Sequence, residues 1–174
     1  QNYLAYTLQG ATVFANNTLT VANNQTATNP GTLVTTAQTV DTLFGSSFAD
    51  VNSSQTMKGV AVVSNFAGYE YWSGSAWVSL SSLNTTQAIG NSSAVFLSAS
   101  TQVRYNGSGT PPELTVRLVD TSGETGTSSV STGGRLDASV NGGSTAFSVS
   151  TVKLVYDLSA PAQPTISSYA DNVG

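Results

Sequence analysis

Residues 69–80 read YEYWSGSAWVSL, in which the turn-forming residues Ser73, Gly74 and Ser75 separate two arms rich in aromatic side chains. Small polar residues between two such arms predict a β-hairpin. The hairpin is the strongest local signal of structure in the chain. It indicates a sheet of short antiparallel strands.

Further strands are predicted on both sides of this hairpin. The apolar run from Gly59 to Ser64 (GVAVVS) is typical of a buried strand. Strand-forming residues also predict strands over 2–8, 11–21, 101–105, 114–119 and 152–156. Between them, residues 23–31 are predicted as a polar turn region, and residues 121–134 as a long irregular loop of the kind that often carries function.

Helices are expected to be minor, because no segment has a sustained 3.6-residue period. The one candidate is Thr39 to Gly45, a short helical turn that would end at Gly45, with Phe48 pointing inward beyond it. The predicted fold class is therefore all-β, an antiparallel β-sandwich with long loops and at most a short helix.

The length of 174 residues fits one domain and a fragment of its neighbour. Residues 1–157 are predicted to form one β-sandwich module. Residues 158–174, which contain Pro161 and Pro164, are predicted to form a linker and the start of a following module.

The composition excludes several classes of partner. Charged residues make up only 8% of the chain, while 39% hydrophobic residues suffice for a core. The net charge is −4, and the five Lys and Arg residues are scattered, which argues against nucleic acid and against an anionic membrane surface. No apolar run approaches the roughly 20 residues of a membrane-spanning helix.

The chain contains neither Cys nor His. Disulfides, thiolate nucleophiles, cysteine-ligated metals and the usual general base are therefore missing. A glycosidase needs only two carboxylates, so that route alone stays open, although no paired acid and base stands out. We predict a protein that is not an enzyme and that works by binding or spacing.

Carboxylates in loops indicate a candidate calcium site. Asp50, Asp120, Glu124 and Asp137 lie at strand ends or in loops beside Gly, Ser and Asn. Calcium takes oxygen ligands, which carboxylates and loop carbonyls supply. Solvated surface acids and turn caps are the alternative interpretation of the same residues.

The aromatic residues of the hairpin are a second candidate site. The rings of Tyr69, Tyr71, Trp72 and Trp77 are of a type that stacks on sugars or receives peptide side chains. Alternate members of a hairpin point into the core, and Trp77 is expected to be one of these. The pattern leaves Tyr69 and Trp72 undecided.

Three stretches of the chain resemble a known family. They are residues 43–63 (LFGSSFADVNSSQTMKGVAVV), 69–78 (YEYWSGSAWV) and 97–120 (LSASTQVRYNGSGTPPELTVRLVD). These stretches are similar to cadherin-like or immunoglobulin-like modules of giant repeats-in-toxin (RTX) adhesins of Gram-negative bacteria. The resemblance covers most of residues 39–152, and residues 164–174 resemble the start of an immunoglobulin-like extender module.

The resemblance implies a module at the bacterial cell surface, with tandem neighbours in the same chain. It implies calcium-dependent capture of a host or cell-surface protein through its C-terminal peptide. A carbohydrate-binding module and a structural spacer stiffened by calcium are the alternatives. Guided by the family, we expect calcium ligands at Asp50, Asp120, Glu124 and Asp137. We expect a ligand-binding wall formed by Tyr69 and Trp72 with residues of the 121–134 loop, in particular Ser122 and Gly123.

Overall fold

The computed structural model describes residues 26–30, 37–50, 54–122 and 129–157, and these form an all-β sandwich, as predicted. Two short α-helices, α1 and α2, and one 3-10 turn accompany ten strands in this part of the chain. The helices are α1 (Val40–Phe44) and α2 (Leu80–Asn84), and the 3-10 turn is Gly45–Ser47. The strands are β1 (Thr26–Pro30), β2 (Gln38–Thr39), β3 (Met57–Ser64), β4 (Tyr69–Trp72), β5 (Trp77–Ser79), β6 (Ala94–Ser98), β7 (Gln102–Tyr105), β8 (Leu114–Asp120), β9 (Arg135–Leu136) and β10 (Phe147–Asp157).

The strands form two sheets. One has six strands in the order β1-β10-β8-β3-β6-β9, and the other has four in the order β2-β7-β4-β5. Neighbouring strands are antiparallel except for β1, which pairs in parallel with β10 at the edge of the larger sheet. The predicted hairpin is confirmed as β4 and β5.

The main core lies between the two sheets, and a smaller cluster lies on the other side of the six-stranded sheet. Strand β3 contributes to both, since Val60 and Val62 face the main core while Ala61 and Val63 face the smaller cluster. Burial on both faces explains why this strand reads as a continuous apolar run rather than an alternating one. The buried strand predicted from GVAVVS is therefore confirmed.

The segment after the predicted long loop covers this smaller cluster. Leu136, Ala138 and Ala146 pack there against Phe96 and Val119 of the sheet. Residues 137–146, which follow β9, thus form a third layer over the outer face of the six-stranded sheet and lead into β10.

The short helix predicted near Thr39 is confirmed as α1. The Thr39 hydroxyl accepts the N–H of Thr42 at 3.1 Å and caps the helix. Val40, Leu43 and Phe44 are buried, at the spacing that places side chains on one helical face. The α-helix ends before Gly45, but Gly45 has right-handed backbone angles and begins the 3-10 turn instead of stopping the chain.

Several elements differ from the sequence-based expectations. Strand β6 (AVFLS), strand β9 and helix α2 were not predicted, and β10 extends beyond the predicted 152–156. The polar turn predicted over 23–31 is wrong for Thr26–Pro30, which forms strand β1. An edge strand held by backbone pairing does not need an apolar pattern, so composition alone hides it. The strands predicted over 2–8 and 11–21 and the linker over 158–174 lie outside the described residues.

Arg135 joins β9 to the segment between α2 and β6. Its Nη1 donates to the carbonyl oxygen of Ser93 at 2.8 Å, and its Nη2 donates to those of Leu83 at 2.7 Å and Gln87 at 3.0 Å. One guanidinium therefore donates hydrogen bonds to three backbone carbonyl oxygens.

We expect Arg135→Ala to lower the free energy of unfolding by about 2 kcal/mol, because charge-assisted bonds are lost and acceptors are stranded. Urea unfolding followed by circular dichroism measures the change. Lys153→Ala is the control, because its 2.9 Å ion pair with Glu113 is exposed and such pairs contribute little. Equal stability of the two variants would contradict the role of Arg135.

Candidate functional site

Strand β4 alternates between the core and the outer face of the four-stranded sheet. Tyr69 is 0% exposed and Tyr71 is 6% exposed, whereas Glu70 and Trp72 are half-buried. Successive strand residues point to opposite sides, so Glu70 and Trp72 share the outer face. The hydroxyl of Tyr69 donates to the carbonyl oxygen of Pro112 at 2.7 Å. Tyr69 is therefore a core residue, and its expected place in a binding wall is wrong for this structure.

Trp77 is half-buried on the outer face of the four-stranded sheet, and its predicted core position is wrong. Trp77 lies directly opposite Trp72 in the β4–β5 pair, and residues opposite each other in an antiparallel pair project to the same side. The two indoles are 5.5 Å apart between ring centroids, at an interplanar angle of 60°. The guanidinium carbon of Arg104 lies 4.1 Å from the centroid of the Trp77 ring.

An open groove of about 440 Å³ lies beside Trp72. Its walls come from β2, from the turn between β4 and β5, from the turn between β6 and β7 with the start of β7, and from the end of the long loop. The lining residues are Thr39, Trp72, Ser73, Gly74, Ser100, Thr101, Gln102 and Thr132. They combine one indole with hydroxyls and one amide, and none of them is charged.

Hydroxyl groups fix the end of the long loop against β6. Thr132 Oγ1 accepts the N–H of Ser98 at 3.0 Å and lies 2.5 Å from Thr101 Oγ1. Ser98 Oγ lies 2.8 Å from Thr101 Oγ1 and 3.1 Å from Thr132 Oγ1, which completes a triangle of hydroxyl groups. Thr132 therefore enters the groove wall in a fixed position.

Gly133 brings the loop backbone onto Tyr71. Its φ of 85° is in the left-handed region, and a Cβ at this position would collide with the Tyr71 hydroxyl. Burial beneath this backbone raises the pKa of Tyr71 above its ordinary value. The phenol of Tyr71 is therefore uncharged at neutral pH, and it connects the four-stranded sheet to the end of the loop.

The predicted calcium ligands occupy different environments. Asp120 is 0% exposed at the end of β8, and its Oδ1 accepts the N–H of Ser122 at 2.7 Å. Asp137 is exposed, and its Oδ1 accepts the N–H of Ser139 at 2.9 Å and the Ser139 hydroxyl, which hold the pKa of this carboxyl below its usual value. Asp50 is half-buried. Glu124 lies outside the described residues.

The described carboxylates do not come together as one group. In the part of the chain that the structure covers, no three Asp or Glu residues lie close enough to hold a metal ion. The assignment of Asp50, Asp120, Glu124 and Asp137 as calcium ligands stays a prediction, since Glu124 lies outside the described residues. Asp120 differs from Asp50 and Asp137 in its complete burial.

Asp120 lies at the same end of the six-stranded sheet as the groove. The start of β3 lies between Asp120 and the β6–β7 turn. Met57 of β3 pairs with Asp120, and the carbonyl oxygen of the next residue, Lys58, accepts the N–H of Ala99 in the β6–β7 turn. Neighbouring strands are about 4.8 Å apart, so about 10 Å separates Asp120 from the β6–β7 turn. The loop over 121–134 begins beside Asp120 and reaches the groove at Thr132.

Of the expected binding wall, Trp72 does line the groove. Ser122 is not among the lining residues, and Gly123 lies outside the described residues. Thr132, which also lines the groove, belongs to the loop over 121–134 that was expected to contribute to the wall. Sequence reasoning missed Thr39, Ser100, Thr101 and Gln102, because polar residues of these types occur throughout the chain. The turn residues Ser73 and Gly74, which follow Trp72, were the one local signal that could have indicated further lining residues.

Comparison of the chain with protein-family models, with curated proteins and with solved structures found no match. None of the helices in the described part of the chain is long and apolar enough to cross a membrane.

Proposed function

We propose that this chain is a non-catalytic ligand-binding module of a bacterial surface adhesin, and that its groove takes a neutral, hydroxyl-rich ligand such as a glycan segment. The observation that carries the proposal is the lining of the groove, which joins the indole of Trp72 to hydroxyl and amide groups without any charge. The resemblance to adhesin modules and the lack of His and Cys support a role in binding at the cell surface.

The lining suits a sugar for two physical reasons. An indole offers a flat apolar surface to the C–H face of a sugar ring. The hydroxyls of Ser100 and Thr132 and the amide of Gln102 both donate and accept hydrogen bonds, as sugar hydroxyls require. A carboxylate would find no cationic side chain among the lining residues.

Calcium-dependent capture of a peptide C-terminus is the second candidate function, and the surroundings of Asp120 favour it. A hard cation prefers oxygen ligands. Asp120 offers a buried carboxylate, and Ser122 Oγ is buried with no hydrogen-bond partner among the described residues. These two residues fit a calcium ion, which would meet a terminal carboxylate beside the loop that leads to the groove.

Calcium at Asp120 would also suit a spacer module, in which the ion only stiffens the fold. The three functions differ in what they bind. A glycan needs the groove, a peptide C-terminus needs the groove and calcium together, and a spacer needs calcium alone.

We expect Trp72→Ala to weaken glycan binding at least tenfold, because truncating an aromatic anchor at the centre of a site costs about 2 kcal/mol. An array of neutral and acidic oligosaccharides identifies the ligand, and isothermal titration measures the affinity. Val140→Ala is the control, since this side chain is 72% exposed and outside the groove.

Two results would contradict the glycan proposal. The first is that the wild-type protein binds no oligosaccharide, and the second is that Trp72→Ala binds oligosaccharide as tightly as the wild type.

Titration with short peptides, free or amidated at the C-terminus and with calcium or chelator, tests the second candidate function. Binding that needs both calcium and the free carboxylate would show that the ligand is a peptide C-terminus and not a glycan.

A further inference from the structure

Four side chains form a connected row on the outer face of the four-stranded sheet. Glu70 lies opposite Arg104 in the β4–β7 pair, and Trp72 lies opposite Trp77 in the β4–β5 pair. The contacts run from Glu70 to Arg104, from Arg104 to Trp77 and from Trp77 to Trp72. The row therefore ends at the indole that lines the groove.

Glu70 fixes the guanidinium of Arg104. Its Oε2 accepts the N–H of Arg104 Nε at 2.8 Å and forms an ion pair with Nη2 at 2.7 Å, while its Oε1 accepts from Asn106 Nδ2 at 3.2 Å. An oxygen that contacts both Nε and Nη2 fixes one edge of the planar guanidinium, which a lysine ammonium cannot reproduce. The Arg104 side chain is only 24% exposed and that of Glu70 only 17% exposed, so solvent screens the pair less than a fully exposed one.

The oriented guanidinium in turn covers Trp77. A cation within about 6 Å of an indole centroid is attracted to the ring, and here the distance is 4.1 Å. Trp77 is thus held against Trp72, and the tilt of 60° at 5.5 Å is a favourable arrangement for two aromatic rings. A half-exposed tryptophan without such neighbours would sample several rotamers, and a ligand would have to order it.

We propose that Glu70 and Arg104 are positioning residues, which act through Trp77 to hold Trp72 in its orientation at the groove before a ligand arrives. The inference rests on the proposed function of the groove. Neither Glu70 nor Arg104 lines the groove, so their effect on a ligand is indirect.

Circular dichroism of the free protein tests the positioning without any ligand. The chain has two Trp residues, so an exciton couplet in the spectrum reports the Trp72–Trp77 pair. We expect Arg104→Lys to reduce this couplet by more than half. Glu70→Gln is expected to reduce it less, since the glutamine side chain keeps one oxygen acceptor for Arg104. Lys153→Gln is the matched control, because it breaks an ion pair on the other sheet.

Time-resolved fluorescence anisotropy gives a second measurement. Trp77→Phe keeps an aromatic ring in the row and leaves Trp72 as the single indole. Adding Arg104→Lys to this variant is expected to increase the fast motion of Trp72. An unchanged couplet together with unchanged anisotropy would overturn the positioning role.

Measurements of oligosaccharide affinity test whether the row of four side chains affects binding. For the tightest neutral oligosaccharide of the array, Arg104→Lys is expected to lose about two- to tenfold in affinity, the cost of ordering one large side chain. A reduced couplet with unchanged affinity would also overturn the proposal. If the groove does not bind oligosaccharides, the wild-type protein itself shows no binding, so this result is distinguishable from a failure of the positioning proposal.

Discussion

Alanine in place of Gly59 is expected to destabilise the domain strongly. Gly59 lies in β3, where it is paired with Ser98 of β6 and Val119 of β8 in the middle of the six-stranded sheet. A Cβ at this position would collide with the carbonyl oxygen of Leu97 and would lie 2.9 Å from both Ser98 Cα and the Phe96 ring. Two of these three atoms belong to the backbone of the neighbouring strand, so a side-chain rotation cannot relieve the collision.

We expect the free energy of unfolding to fall by at least about 3 kcal/mol, the upper range for an overpacked core, because β6 must shift away from β3. This is a large part of the roughly 5–15 kcal/mol that stabilises a typical domain. Urea unfolding followed by circular dichroism and by tryptophan fluorescence measures the change.

Gly90→Ala is the matched control for this prediction. A Cβ at Gly90 meets no atom within 4 Å, and the backbone there is not left-handed. The same chemical change is therefore expected to be neutral or slightly stabilising. A Gly59→Ala variant within about 1 kcal/mol of the Gly90→Ala variant would show that the strands separate more easily than the contacts indicate.

Local sequence signals predicted the parts of the fold that neighbouring residues determine. The turn at Ser73 to Ser75, the apolar run of β3 and the short helical stretch that begins at Thr39 all act within a few residues, so each pattern could be recognised in isolation. Strand β6 carries the same continuous apolar signal as β3, because both are buried on two faces. The sequence contained that information although the strand was not predicted.

The direction of each hairpin side chain was beyond the local pattern. A shift of one residue in register exchanges the two faces of a strand, so Tyr69 and Trp72 could not be distinguished before the partner strand was known. Trp77 was assigned to the core for the same reason. Pairing with Trp72 fixes it on the outer face.

The groove depends on contacts between distant parts of the chain. Thr132 reaches the groove because its hydroxyl bonds to residues more than thirty positions earlier, at Ser98 and Thr101. In a chain rich in Ser and Thr, no local feature distinguishes these hydroxyls from the others. Long-range pairing rather than composition therefore builds the candidate site.

Asp120→Asn is expected to abolish the stabilisation of the domain by calcium. If calcium binds beside Asp120, a concentration one hundred times the dissociation constant adds about 2.7 kcal/mol to the stability of the wild-type protein. For a domain of this size, that corresponds to a rise of about 5–10 °C in Tm. Asparagine keeps the shape of the side chain and can still accept the N–H of Ser122, while it removes the charge.

Asp137→Asn is the control, because Asp137 is exposed and its carboxylate is engaged by Ser139. Differential scanning calorimetry with calcium, with magnesium and with chelator measures the four proteins: wild type, the two single variants and the double variant. Loss of the calcium effect in Asp120→Asn alone would assign the ion to the end of β8, where the loop toward the groove begins. Loss in Asp137→Asn instead would move the site to the third layer. No calcium effect in the wild type would eliminate both the peptide-capture and the spacer functions, since each needs the ion, and would leave the uncharged groove beside Trp72 to act without a metal.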